Sequence, residues 1–418
     1  MSRSSAGGWT VAKATVALCV ALVARPAHPH AGADAVEPDA TALMELGRLQ
    51  YAQREFASAQ VSFSRAVEQI ERAHDPLASE LIEPLVALGD AQVGAGRFEQ
   101  ASQSFARAVS IVRREGGVND ARQLVPLEKM ADAQAFSGQM QAAAGSLKYF
   151  ERVSEATYGA QSRPFGEKLT RVADRLCQFG FYFDGRSRHR RALGILDGAD
   201  TAEIDALRST ARCNLYEISA FAIVTPAQLP EQLRGVAGRP QHFNADSTSF
   251  RTNVVRLMRY ESEQALTRAA RLALASETMP ASEKVQVLLE AGDWFQMRDH
   301  VRTARGYYEQ VLLLMRTGDD ARTTLLSSPV MLMYAPPPLS LLNEFERSEA
   351  TTRRFVVAQF EVRADGRVQS ERVIARDATK TMVDETLSAL RAARYRPRFV
   401  NGKPEDTLKV TYRQIFLQ

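Results

Sequence analysis

The sequence predicts a mostly α-helical solenoid followed by a small α+β domain of order strand, strand, helix, strand. Three observations predict it. Small and large residues recur at a constant shift of 42 positions through residues 41 to 195, three prolines follow one another at Pro336, Pro337 and Pro338, and beyond them the apolar spacing changes from helical to alternating. The composition of the 418 residues, 45% hydrophobic and 24% charged with three cysteines, excludes a polytopic membrane protein, a disulfide scaffold and wholesale disorder.

Residues 1–33 read as a secretory leader. They carry Arg3 and Lys13, no acidic side chain, an apolar run from Ala14 to Ala24 and then Arg25-Pro26. A spanning helix needs about 20 apolar residues, so the run is short for one. Ala31-Gly32-Ala33 is a small-x-small cleavage pattern that leaves a mature chain starting at Asp34; an uncleaved anchor with its apolar core reaching back to Trp9 is the other reading. Export implies the periplasm of a two-membrane cell. Cys19 leaves with the leader, and Cys177 and Cys213 then either pair or serve as buried small apolar residues.

The repeat occupies 34–224. Leu43, Leu85, Leu127 and Leu169 stand in one column; Gly47, Gly89, Ala131 and Ala173 in the next; then Phe56, Phe98, Met140 and Tyr182. Ala59, Ala101, Ala143 and Gly185 precede Phe63, Phe105, Leu147 and His189. A separated copy keeps these offsets in Leu288, Gly292, Val301, Ala304, Tyr308 and Val311. Small residues let two antiparallel helices approach, and large ones fill the space to the next pair. This alternation resembles the tetratricopeptide repeat in a variant with extended helices. Residues 225–248, rich in Pro, Gly, Gln and Asn, read as a loop or hinge that interrupts the solenoid, and 249–317 as further helices containing the separated copy. With helical pairs in that order, a Cys177–Cys213 bond would join the first helices of successive units.

Gly318-Asp319-Asp320 and the proline run make 318–350 a linker. In 351–418, Val356, Ala358, Phe360 and Val362 share a strand face before the Asp365-Gly366 turn. A second strand covers 367–375, a helix covers 379–393, Asn401-Gly402 turns the chain, and 408–416 form the last strand. The run from Arg363-Ala364-Asp365-Gly366 through Ala389 to Pro397, Asn401-Gly402-Lys403-Pro404 and Val410 to Phe416 resembles the carboxy-terminal domain of the TonB family. The resemblance implies a last strand that offers its edge to an extended partner peptide, here Leu408, Lys409, Val410, Thr411, Tyr412, Arg413, Gln414, Ile415 and Phe416. It implies protein partners, an outer-membrane receptor or another envelope protein among them. Family members that transmit energy have an anchoring helix containing histidine and a proline-rich spacer, and this chain has neither.

Little in the sequence suggests chemistry. No two histidines have helical ligand spacing, and the chain has no nucleophile elbow, phosphate loop or dinucleotide fingerprint. The expectation is no enzyme, no catalytic residue, no metal and no cofactor, with neither nucleic acid nor a small-molecule substrate as partner. Arg186, Arg188, Arg190 and Arg191 read as a solvated helix face. Charge divides unevenly: residues 351–418 carry a net +6 and residues 34–350 a net −5, which suits docking of the two parts or steering toward an acidic partner. The function this supports is an exported adaptor, with a membrane-anchored energy transducer as the alternative.

Overall fold

The structure, a computed structural model, describes residues 38–198, 200–223, 247–315, 325–337 and 353–417. The expected leader, most of the expected hinge and the linker residues 318–324 and 338–350 lie outside the described residues.

Helices α1 (Ala40–Ala52) and α2 (Phe56–Ala73), α3 (Ile82–Gly94) and α4 (Phe98–Gly116), α5 (Leu124–Phe136) and α6 (Met140–Tyr158), and α7 (Arg163–Gln178) and α8 (Tyr182–Ile195) form four successive hairpins. Asp39 caps α1 by accepting from the Ala42 N–H at 2.8 Å, and Ser162 caps α7 with Pro164 just inside the start. Each hairpin closes at the column of small residues, glycine in the first two and alanine in the next two. A Cβ on Gly47 or Gly89 would lie 2.5 Å from the ring of Phe63 or Phe105, so the missing side chain is what lets the second helix approach. The turn then needs a left-handed residue, supplied by Gly96 (φ 73°), Gly138 (φ 81°) and Gly180 (φ 87°). A serine on the second helix donates to a glutamine on the first in three hairpins: Ser62 to Gln50, Ser104 to Gln92 and Ser146 to Gln134, at 2.7–2.8 Å.

Packing continues on both sides of the expected hinge. Helices α9 (Thr201–Ile223) and α10 (Ser247–Ala275) pack on each other as a fifth hairpin. Ile204, Leu207 and Ala211 share one core with Ala265, Leu266, Ala269, Ala270 and Ala273, and that core runs on into α11 (Ala281–Met297) and α12 (Val301–Met315). The small knobs of this pair are alanines about a turn apart, so close packing persists while the 42-residue register is lost.

The terminal region is richer in strands than the expected order. Strand β1 (Val330–Met333) falls inside the stretch read as linker; then come β2 (Arg353–Val362), β3 (Val368–Asp377), α13 (Lys380–Ala392), β4 (Arg394–Arg396), β5 (Arg398–Val400), β6 (Lys403–Glu405) and β7 (Thr407–Leu417). β2 is central between β3 and β7, both antiparallel to it, while β1 pairs with β4 and β5 with β6. The additional strands span only three or four residues, too few to show an alternation, and Pro397 separates two of them. Val356, Ala358, Phe360 and Val362 are buried on the face that α13 covers with Met382, Val383 and Leu390.

Candidate functional site

The positions expected to receive a partner, Leu408 to Phe416, lie in β7 at one edge of the three-stranded sheet. Among the described residues only β2 pairs with β7, and no described strand pairs with its other edge. Val410, Tyr412, Gln414 and Phe416 point to the covered side, and Thr411, Arg413 and Ile415 are exposed. Tyr334, from beyond β1, packs at a tilt against Tyr412 with ring centroids 4.9 Å apart and donates to Gln414 Oε1 at 2.7 Å, which fixes the inner face of the strand. Arg413 lies 4.5 Å over the ring of Phe355 on the outer face. At the entry to β7 the pairing slips between Phe360 and Val362, and Lys409 takes φ 57°, so the regular ladder begins at Val410.

The terminal region is docked on the last helical hairpin. Arg396 grips Asp293 of α11 with two bonds, Nε at 2.8 Å and Nη2 at 2.6 Å, and Tyr308 of α12 donates to the same carboxylate at 2.9 Å. Burial alone would discourage the guanidinium charge; the bonds to Asp293 outweigh it and raise the Arg396 pKa. Burial pushes Tyr308 upward, so it stays a protonated donor. Gln296 donates to the Asp365 carbonyl at 2.7 Å, and a Cβ on Gly366 (φ 81°) would overlap it. Phe399 leaves the terminal core and packs edge-on against Tyr308 at 5.5 Å, inside the helical core. The basic domain thus meets the acidic solenoid through paired charges and an aromatic plug.

The first helices of successive units are joined by ion pairs. Lys129 binds Asp90, Arg175 binds Asp132 at 2.6 Å, Arg212 approaches Asp174 at 3.5 Å and Arg208 binds Glu290 at 2.5 Å. Between α7 and α9 this face opens into a groove of about 480 Å³ lined by Arg163, Arg171, Arg208 and Arg212 with Asp174 and Asp205 among them. The expected solvated face on α8 is corrected in part: Arg186 meets Glu217, Arg188 binds Glu151 at 2.8 Å and Arg191 binds Glu155 at 2.6 Å, while Arg190 and Arg191 are exposed. Acidic residues on flanking helices, remote in sequence, recruit Arg186, Arg188 and Arg191.

Cys177 of α7 and Cys213 of α9 form a disulfide between the first helices of the fourth and fifth hairpins. His189 of α8 stands beside it, and one of its ring nitrogens and both sulfurs lie within 4.8 Å of one another. All three residues are buried. Burial pushes the His189 pKa down to about 4, with Asp174 opposing, so the imidazole is neutral at pH 7. Spacing along one helix could not reveal this group, because each member comes from a different helix. The available signal was the His189 column, where other units place Phe63, Phe105, Leu147 and Tyr308.

A family profile described as tetratricopeptide repeat matches residues 39–114, the span of α1 to α4. The two hairpins there match the tetratricopeptide repeat. Solved structures similar to this chain include TPR-like repeats of a kinesin light chain from Podosopora anserina, 15% identical over 48% of this chain and 95% of theirs, with a TM-score of 0.38. BtubC (BKLC) from P. vanneervenii is 13% identical over 57% of this chain and 82% of its own, with a TM-score of 0.39. MamA protein is 14% identical over 58% and 97%, with a TM-score of 0.35. No curated protein sequence matches the chain.

Proposed function

We propose that this chain is a non-enzymatic adaptor, exported to the periplasm on a cleaved leader, that joins two proteins. The tetratricopeptide array takes one along the face of its first helices. The terminal region, a TonB-like module, takes an extended segment of the other as an added strand on β7. One observation carries the reading: an 11-residue strand sits at a sheet edge, paired on one side alone among the described residues. Such an edge is a template for another chain unless it is blunted, and here the irregularity at Lys409 blunts one end alone. The net +6 of residues 351–418 favours an acidic segment, as on an envelope protein or outer-membrane receptor.

The test is a photo-crosslinking side chain at Thr411 of the full chain in its host, beside affinity capture with a chain ended after Ala350. Strand addition predicts a discrete crosslinked protein that the shortened chain fails to capture. Capture of that protein undiminished by the truncation contradicts it. Sequencing the mature amino terminus tests export: a start near Asp34 supports the adaptor, whereas retention of residues 1–33 supports the anchored transducer.

A further inference from the structure

His189 is the misfit of the repeat. Its column holds Phe63, Phe105 and Leu147, and in the last unit Tyr308, whose hydroxyl reaches Asp293. His189 is fully buried, and neither Nδ1 nor Nε2 has a hydrogen-bond partner. Folded proteins rarely leave a buried polar group unpaired, and phenylalanine would fill this place without that cost. What the ring faces is sulfur. Both Sγ atoms of Cys177 and Cys213 lie within 4.8 Å of one of its ring nitrogens, and all three residues are buried. Gly185 replaces the alanine of the other units where a Cβ would overlap the Cys177 sulfur, so the second helix is cut back to admit it.

We propose that Cys177, Cys213 and His189, with the disulfide opened, are a binding site for a thiophilic divalent d10 cation, of which zinc is the type. The chemistry balances. A small dithiol donates two electrons and two protons to the sulfur–sulfur bond, becoming a disulfide itself and leaving two thiols. Binding of the cation releases those two protons as the sulfurs become thiolates, and His189 contributes a lone pair with no proton to lose. Two thiolates and one divalent ion sum to zero charge, which suits a buried site, and three protein donors leave a fourth position for water. Asp174 and Arg212, whose charges act on His189, also line the groove between α7 and α9, which is the way in. Bond and ion exclude one another, and either one ties α7 to α9. The site is then a redox-gated metal site rather than a permanent one.

Full-length protein is reduced with dithiothreitol, freed of it without air, and titrated with Co2+ as a coloured stand-in before Zn2+ is added. The expected result is one equivalent of Co2+ per chain with a thiolate-to-cobalt absorption band that Zn2+ abolishes. The oxidised protein should give no band. His189→Phe, which restores the residue type of the column, should keep or raise the melting temperature of the oxidised protein and weaken metal binding at least tenfold. His189→Gln checks the same loss in a side chain of similar polarity. Failure of the reduced protein to take up Co2+, or unchanged affinity in both variants, overturns the proposal.

Discussion

Asp299 stands at the left-handed turn position (φ 61°) that Gly96, Gly138 and Gly180 fill in earlier hairpins, and its carboxylate accepts from Arg394 Nε at 2.7 Å and Nη2 at 3.0 Å. Arg367 approaches the same carboxylate at 3.5 Å. A turn that elsewhere favours glycine is here spent on a contact with the terminal region. Relieving a left-handed residue with glycine is worth about 1 kcal/mol, and a half-exposed ion pair contributes about the same or less. Asp299→Gly should therefore leave the unfolding free energy, measured in urea, within about 0.5 kcal/mol of wild type. The Tyr395 amide, which donates to the Gly366 carbonyl in the docked turn, should nonetheless exchange faster. Asp299→Ala keeps the strain without the pair and should lower the midpoint.

The same carboxylate predicts a pH dependence. The hydrogen bond from Arg394 holds the folded Asp299 pKa below its ordinary value, with burial opposing. In the window between the folded value and about 3.9, the unfolded chain binds the proton more readily, so stability falls as pH falls there. The difference between wild type and Asp299→Asn should be full at pH 7 and shrink as the pH drops below about 4. A constant difference down to pH 2 would remove the ion pair as its cause.

Asp293 and Arg396 form the buried counterpart, their side chains 19% and 11% exposed. Removing one partner of such a pair costs about 3–5 kcal/mol, because the other charge remains buried without compensation. Asp293→Ala should lower the unfolding free energy by that order, and Tyr308→Phe, which deletes one hydrogen bond, by about 1 kcal/mol. Because Phe399 also sits in the helical core, 1 M salt should not separate the two parts. Charge asymmetry in the sequence suits docking of the two parts; a buried ion pair and an aromatic plug make that docking far less sensitive to salt than exposed charges alone would be.

The glycine columns allow an internally controlled pair of variants. Gly89→Ala places a methyl against the Phe105 ring and should cost about 1–3 kcal/mol through overpacking. Arg54 holds the left-handed turn of the first hairpin (φ 63°), and Arg54→Gly should raise stability by up to about 1 kcal/mol. Thermal unfolding of both variants reads the opposite signs directly.

The hairpins were legible because their packing is written in single residues: Gly47 against Phe63 and Gly89 against Phe105 repeat one geometry, and each glycine can be seen in the sequence. The fifth hairpin was not, since Ala265, Ala269 and Ala273 pack closely without any large partner in register. Strands β1, β4, β5 and β6 were too short to alternate, and β1 pairs with β4 across some sixty residues. The Gln50/Ser62, Gln92/Ser104 and Gln134/Ser146 bonds carry the 42-residue period as clearly as the apolar columns but in polar residues, which a search for core positions passes over. At the candidate site the edge position of β7 was an implication of the family resemblance, whereas the slip near Lys409 depends on the opposing strand.

Proline substitution in β7 separates the roles of its two edges. Along a strand, successive N–H groups point to opposite sides, so of Arg413 and Gln414 one donates toward β2 and the other toward the open edge. Proline at the position facing β2 breaks a ladder bond and should lower the melting temperature by several degrees. At the outward position it removes a donor with no described partner, and the fold should hold with a small loss. An added strand needs that donor, so the outward proline alone should abolish partner capture while leaving the melting temperature nearly unchanged. Capture that follows melting temperature in both variants would mean that the partner reads the intact domain surface, and binding along the backbone of β7 would be refuted.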